Sequence, residues 1–219
     1  MLKILAKTLP ILLIAVTTTS FGQIVDNLKL NDQKSHKYAP NKKIVCEAGT
    51  GDMPRIQLPD EIRERIRARV KTSTFEITYN TGFPAEAQAA FEFATDIWGA
   101  VFSSTVPIRI NAEYKVLGNE NTLGGSLLSD ARANFKNAPK VNTWFQMPIA
   151  EKIAGEDLNG TTEFDVDIEF NSSANWYFDT NNPDSIVGTG KHDFATVFGI
   201  IRLRNFGIDK KYKQRLLLR

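Results

Sequence analysis

The chain predicts an α+β fold, a mixed sheet packed on helices, and three observations carry that expectation. "FEITYN" (75–80) and "VPIRINAEYKVL" (106–117) alternate apolar and polar side chains with the period of two of a half-buried strand. Between them "PAEAQAAFEFATDIWGAVF" (84–102) sets Ala87, Phe91, Ala94, Ile97, Trp98 and Val101 along one helical stripe, opened by Pro84 and with Glu86 near the positive N-terminal end. "TEFDVDIEFNSSANWYF" (162–178) alternates again: Phe164, Val166, Ile168 and Phe170 point one way, Glu163, Asp165, Asp167 and Glu169 the other.

The remaining segments fill in around these. "PDEIRERIRARV" (59–70) spaces Ile62, Ile66 and Val70 by four, with acids first and bases later, as a short basic helix with a solvated face does. "LGGSLLSD" (123–130) reads as a loop broken by glycine, and "MPIAEKIAG" (147–155) as a short helix ended by Gly155. Residues 24–54 are polar and aperiodic and read as a flexible lead-in, in which Cys46 is an incidental thiol. Alternate carboxylates on a strand stand too far apart to converge on one calcium ion, so the acids of 163–169 read as a solvated face. Asp179, Asn181, Asn182 and Asp184 are oxygen-bearing residues that turn chemistry explains equally well.

Composition bounds the function. With 219 residues, 42% of them hydrophobic and 24% charged, the chain can build one sizeable core. The net charge is +2, but seven of the 27 Lys/Arg and only one of the 25 Asp/Glu follow Gly199. That basic tail lacks the interleaved aromatics and glycines of a nucleic-acid surface, so no nucleic-acid partner is expected. Lys3 and Lys7 precede the apolar run Leu9–Val16, followed by Ser20 and Gly22, the pattern of a cleaved signal peptide ending before Gln23. The run is shorter than the roughly 20 residues a span requires. The expected location is therefore periplasmic or extracellular, with no membrane span after cleavage. Cys46 is the one cysteine, which rules out an internal disulfide, and no cysteine stands at the cleavage point to take a lipid.

The collinear run "FPAEAQAAFEFATDIW", "VPIRINAEY", "NTWFQMPIAEKIAG", "DVDIEFNSSANWYF" and "DFATV" resembles the zincin-like secreted metallopeptidases of bacteria. In that family the last segment leads into His-Glu-x-x-His-x-x-Gly-Phe. Two His one helical turn apart bind zinc there, and the Glu activates the metal-bound water. Beside the signal peptide (1–22), the polar lead-in with a short basic helix (23–73) and the basic tail (209–219), the resemblance implies a zincin-like N-terminal subdomain over 74–208. It also implies that the acidic strand is a sheet edge, where Asp165, Val166, Asp167, Ile168 and Glu169 would pair with an extended peptide or protein.

The motif itself is degenerate. Ile200 stands at the first His, Ile201 at the Glu, Arg204 at the second His and Gly207 at the Gly. Isoleucine has no lone pair and a guanidinium is a permanent cation, so no zinc and no other cofactor is expected of the chain as written. His36 and His192 are the two histidines and neither has the spacing to substitute; Lys210 stands where a third histidine would fall. Substitution in place, favoured by Gly207, or a frame slip near Phe198, favoured by the abrupt basic shift and by the early end of the chain, would each produce this pattern. The expectation is an exported metallopeptidase-like protein, catalytically inactive through truncation or frame shift, with no intact catalytic or metal-binding residue. A secreted peptide- or protein-binding module without catalysis is the alternative.

Overall fold

The computed structural model describes residues 34–37, 44–49, 58–128, 130–181, 187–188 and 190–205. The signal segment 1–22, Gly207 and the tail 209–219 lie outside the described residues. In chain order the elements are β1 (Lys34–Lys37), β2 (Ile44–Glu47), α1 (Asp60–Arg67), β3 (Phe75–Tyr79), α2 (Ala85–Val101), β4 (Ile108–Lys115), β5 (Thr122–Leu128), β6 (Asp130–Ala133), β7 (Phe145–Gln146), α3 (Met147–Ala154), β8 (Val166–Asn171), β9 (Trp176–Tyr177), β10 (His192–Asp193) and α4 (Phe194–Asn205). The fold is α+β with a mixed sheet, and four helices stand among the described residues.

The main sheet has the order β2-β5-β8-β4-β3. β3, β4 and β8 run parallel, while β5 is antiparallel to both β8 and β2. β3, α2 and β4 form the crossover unit that a parallel pair requires. One sheet face is apolar: Ile108, Ile110 and Ala112 of β4 and Val166, Ile168 and Phe170 of β8 are buried at alternate positions. Ala87, Ala90, Phe91 and Ala94 of α2 and Phe194, Val197 and Phe198 of α4 complete that core. A smaller cluster joins Phe135, Ala150 and Ala154, where α3 packs on the antiparallel sheet β1-β6-β7. Gly155 ends α3 at φ +73°, a left-handed position that glycine takes without strain, and its N–H returns to the Glu151 carbonyl at 2.7 Å.

Four expectations are corrected. The acidic strand is not an edge: Ile110–Lys115 pair along one side of β8 and Gly124–Leu128 along the other, so the backbone of 166–170 is bonded on both flanks. "LGGSLLSD" is not a loop, because Gly124 and Gly125 lie within β5 and receive partners from β2 and β8. The lead-in is not uniformly flexible, since β1 pairs with β6 and β2 with β5. Asp165 does not share a solvated face with Asp167 and Glu169; it precedes the strand and is fully buried. In α1 and α2 the stripes end short, with Val70 beyond the helix and Val101 exposed.

Candidate functional site

Three places collect functional side chains. The first is α4, whose start is set by Asp193. Its Oδ1 accepts from the Thr196 N–H at 2.8 Å, satisfying one of the donors a helix leaves open at its first turn. Phe194, Val197 and Phe198 then anchor the first two turns in the core, Phe198 with its ring 4.3 Å from that of Phe91. Replacing Asp193 by alanine removes that acceptor from the first turn of α4. The expected loss is about 1–2 kcal/mol, read as a lowered midpoint in chemical denaturation.

The helix continues through Asn205, so Ile200, Ile201 and Arg204 are on helical backbone and 200 and 204 are one turn apart. Their side chains, and the residues Gly207, Ile208 and Lys210, lie outside the described residues. The donor chemistry does not fit zinc, because neither Ile200 nor Arg204 offers a lone pair. Nor does another set replace it: no group of three His, Cys, Asp or Glu among the described residues is placed to hold a metal ion. His192 is in β10, half-buried beside the Trp176 ring, and burial lowers its pKa. Cys46 is buried in the main core on β2. Asp179 Oδ1 accepts from the Asn181 N–H at 2.8 Å, a turn contact, whereas Asn182 and Asp184 lie outside the described residues.

The second place is the polar face of the main sheet. A hollow of about 240 Å³ lies over Asn111, Glu113 and Lys115 of β4, Asp167 and Glu169 of β8 and Leu127 of β5. Asn111 Nδ2 donates to Asp167 Oδ1 at 3.0 Å, and Lys115 bridges Glu113 and Glu169, the latter at 3.4 Å. Of the five residues 165–169, the structure thus brings Asp167, Ile168 and Glu169 to this hollow. Val166 and Asp165 are buried elsewhere.

The third place is a buried ionic cluster between α3, β4 and the start of β8. Asp165 Oδ2 accepts from the Arg109 backbone N–H at 2.8 Å, and its Oδ1 accepts from Asn159 Nδ2 at 2.9 Å. Burial nonetheless raises its pKa. The Arg109 guanidinium donates to Asp157 at 2.8 Å and lies 3.2 Å from Glu76. Burial opposes ionisation of Asp157, but the Gly160 N–H and Arg109 outweigh it and hold this carboxyl below its ordinary value. Burial, with the Asp165 charge second, pushes Glu151 up to about 8.

No known family, curated protein or solved structure matches this chain. The ionic cluster was not among the candidates drawn from the sequence. Two signals pointed to it: a glutamate among the apolar residues of the two-turn segment "MPIAEKIA", and the Asp-Leu-Asn-Gly turn at 157–160.

Proposed function

We propose that the chain is an exported protein on a zincin-like metallopeptidase scaffold that has lost its catalytic metal site. The carrying observation is the continuous helix across 194–205, which sets Ile200 and Arg204 one turn apart where a metal-binding helix carries two histidines. Two further features support the reading. A mixed sheet has α2 and α4 against one face, and α4 follows directly from β10 with a carboxylate cap. Without a lone pair at those positions there is no metal to polarise a carbonyl or to activate water, and hydrolysis of a peptide has no general base at Ile201.

Purified protein is expected to bring down no stoichiometric zinc and to leave casein uncut. One equivalent of metal surviving dialysis, together with cleavage that a chelator stops, would overturn the reading. Export is tested separately by the N-terminal mass of the product from a bacterial host, with Gln23 expected as its first residue. Retention of Met1–Val16 would count against it.

A binding role without catalysis is the second reading, and the acidic hollow favours it. Because both flanks of β8 are occupied, a peptide cannot add along 165–169 as a further strand. It would reach Asp167 and Glu169 only through side chains above the sheet, which suits a basic peptide segment. Binding of lysine-rich peptides that survives Asp167→Asn with Glu169→Gln would exclude this hollow.

A further inference from the structure

Glu151 is 1% exposed and faces the loop that follows α3. Its Oε1 accepts from the Leu158 N–H at 3.1 Å. Its Oε2 is buried and no group among the described residues donates to it; Asn159 Oδ1, one residue along from Leu158, is a second buried oxygen in the same condition. The charged groups acting on Glu151 are Asp165 at the entry to β8, Asp157 in the loop, and Arg109 on β4. Arg109 is already shared between Asp157 and Glu76.

A buried acceptor oxygen without a donor is satisfied by a neutral donor, a metal ion or a proton. The carboxylates here do not converge as metal ligands do. Each Asp157 oxygen is taken by Arg109 or by turn N–H groups, and each Asp165 oxygen by Arg109 or Asn159. A proton on Glu151 is the partner that needs no rearrangement, and it turns Oε2 from an acceptor into a donor. We propose that Glu151 keeps a proton in the folded protein, and that this proton latches the loop 155–165 against α3, so that the loop is released as pH rises.

Asp157 and Asp165 tie the loop to Arg109 of β4, and Leu158 is where it meets α3 and β6. Leu158 is gripped on both sides of its peptide: its N–H by Glu151 of α3, its carbonyl by the Arg132 guanidinium of β6 at 2.8 Å. Asn159 is tied to Asp165. Ionising Glu151 adds a negative charge beside Asp165 and Asp157, and Arg109 is the cation that acts on it. The open loop gives Glu151 back to water and to its ordinary value of 4.5, against about 8 when closed. The open form therefore loses its proton first as pH rises. The latch is complete below the lower value and is lost as pH passes through the upper one. In between, the opening constant rises about tenfold per pH unit and then levels off.

Hydrogen exchange on the full chain, corrected for intrinsic base catalysis, reads this directly. Protection of 155–165 should fall about tenfold per unit between roughly pH 5 and 8, while α2 keeps its protection. Glu151→Gln, a permanent neutral donor of the same shape, should abolish the slope and leave the loop protected at pH 8. The ¹³C carboxyl signal of Glu151 in the unaltered protein should titrate near 8, which decides the matter even where the variant does not fold. A carboxyl midpoint near 4.5, an equal slope in Glu151→Gln, or parallel loss of protection in α2 would each overturn the proposal.

Discussion

Replacing Phe170 by alanine should remove about 3–5 kcal/mol of stability. The ring is fully buried at the end of β8. It meets Phe194 of α4 at 4.2 Å, Phe91 of α2 at 5.9 Å, Trp176 of β9 at 6.1 Å and Phe83 at 6.3 Å between centroids. Several of these contacts are edge-on, the arrangement that aromatic quadrupoles favour. Four separate pieces of chain therefore converge on one side chain, and none can close over the space it leaves without moving an element. For a domain whose whole stability is about 5–15 kcal/mol the fold would be close to its limit. The melting temperature should drop by roughly 6–20 °C. Val116→Ala, at a position 72% exposed, serves as the control and should shift stability by no more than about 0.5 kcal/mol. A Phe170→Ala protein that melts with the control would mean that this cluster does not hold β8 to the helices.

The second large effect is a gain. Ile200→His, Ile201→Glu and Arg204→His together place two imidazoles one turn apart on α4 and a carboxylate beside the first. Because the helix runs to Asn205, its period sets the two rings on one face without further redesign. Removing Arg204 also deletes a cation that repels the metal. Zinc binding should rise from none to about one equivalent, with weak affinity, since a catalytic tetrahedral site takes three protein ligands and this variant has two. Turnover of casein should stay at background for the same reason. Ile200→His alone should bind no stoichiometric metal. Absence of binding by the triple variant would show that 200 and 204 do not share an accessible face, and chelator-sensitive hydrolysis would refute the two-ligand argument.

Elements whose stability comes from their own periodicity were readable in the sequence. β3, β4, α2 and α3 fall where alternation, a Pro start and a Gly stop place them, because one buried face must recur at a fixed interval. β5 was not readable, since Gly124 and Gly125 give no apolar signal; flanking strands on both sides hold them in place. β1 and β2 are four-residue segments whose strand character comes from their partners at 130–133 and 122–126. The acidic alternation at 163–169 correctly signalled a strand but not its neighbours: whether a strand is interior depends on pairing across the sheet, and Asp167 and Glu169 look the same from either position. At the site, the absence of metal-donor chemistry at 200, 201 and 204 is plain from residue types alone. The ionic cluster is not, because Arg109, Glu151 and Asp165 meet only once β4, α3 and β8 are packed.

The place of β8 between β4 and β5 also dictates an order of assembly. β4 and β5 are neighbours in the chain, joined by 116–121, and they run antiparallel, so the quickest pairing open to them during folding is a direct hairpin. The native sheet forbids that hairpin, because a strand made more than a helix and two strands later must lie between the pair. On a growing chain the inner edges of β4 and β5 therefore wait for 166–171 to emerge. Any pairing they make with each other beforehand is a trap to be undone, and the rate of its undoing becomes a limit on how fast the sheet can close.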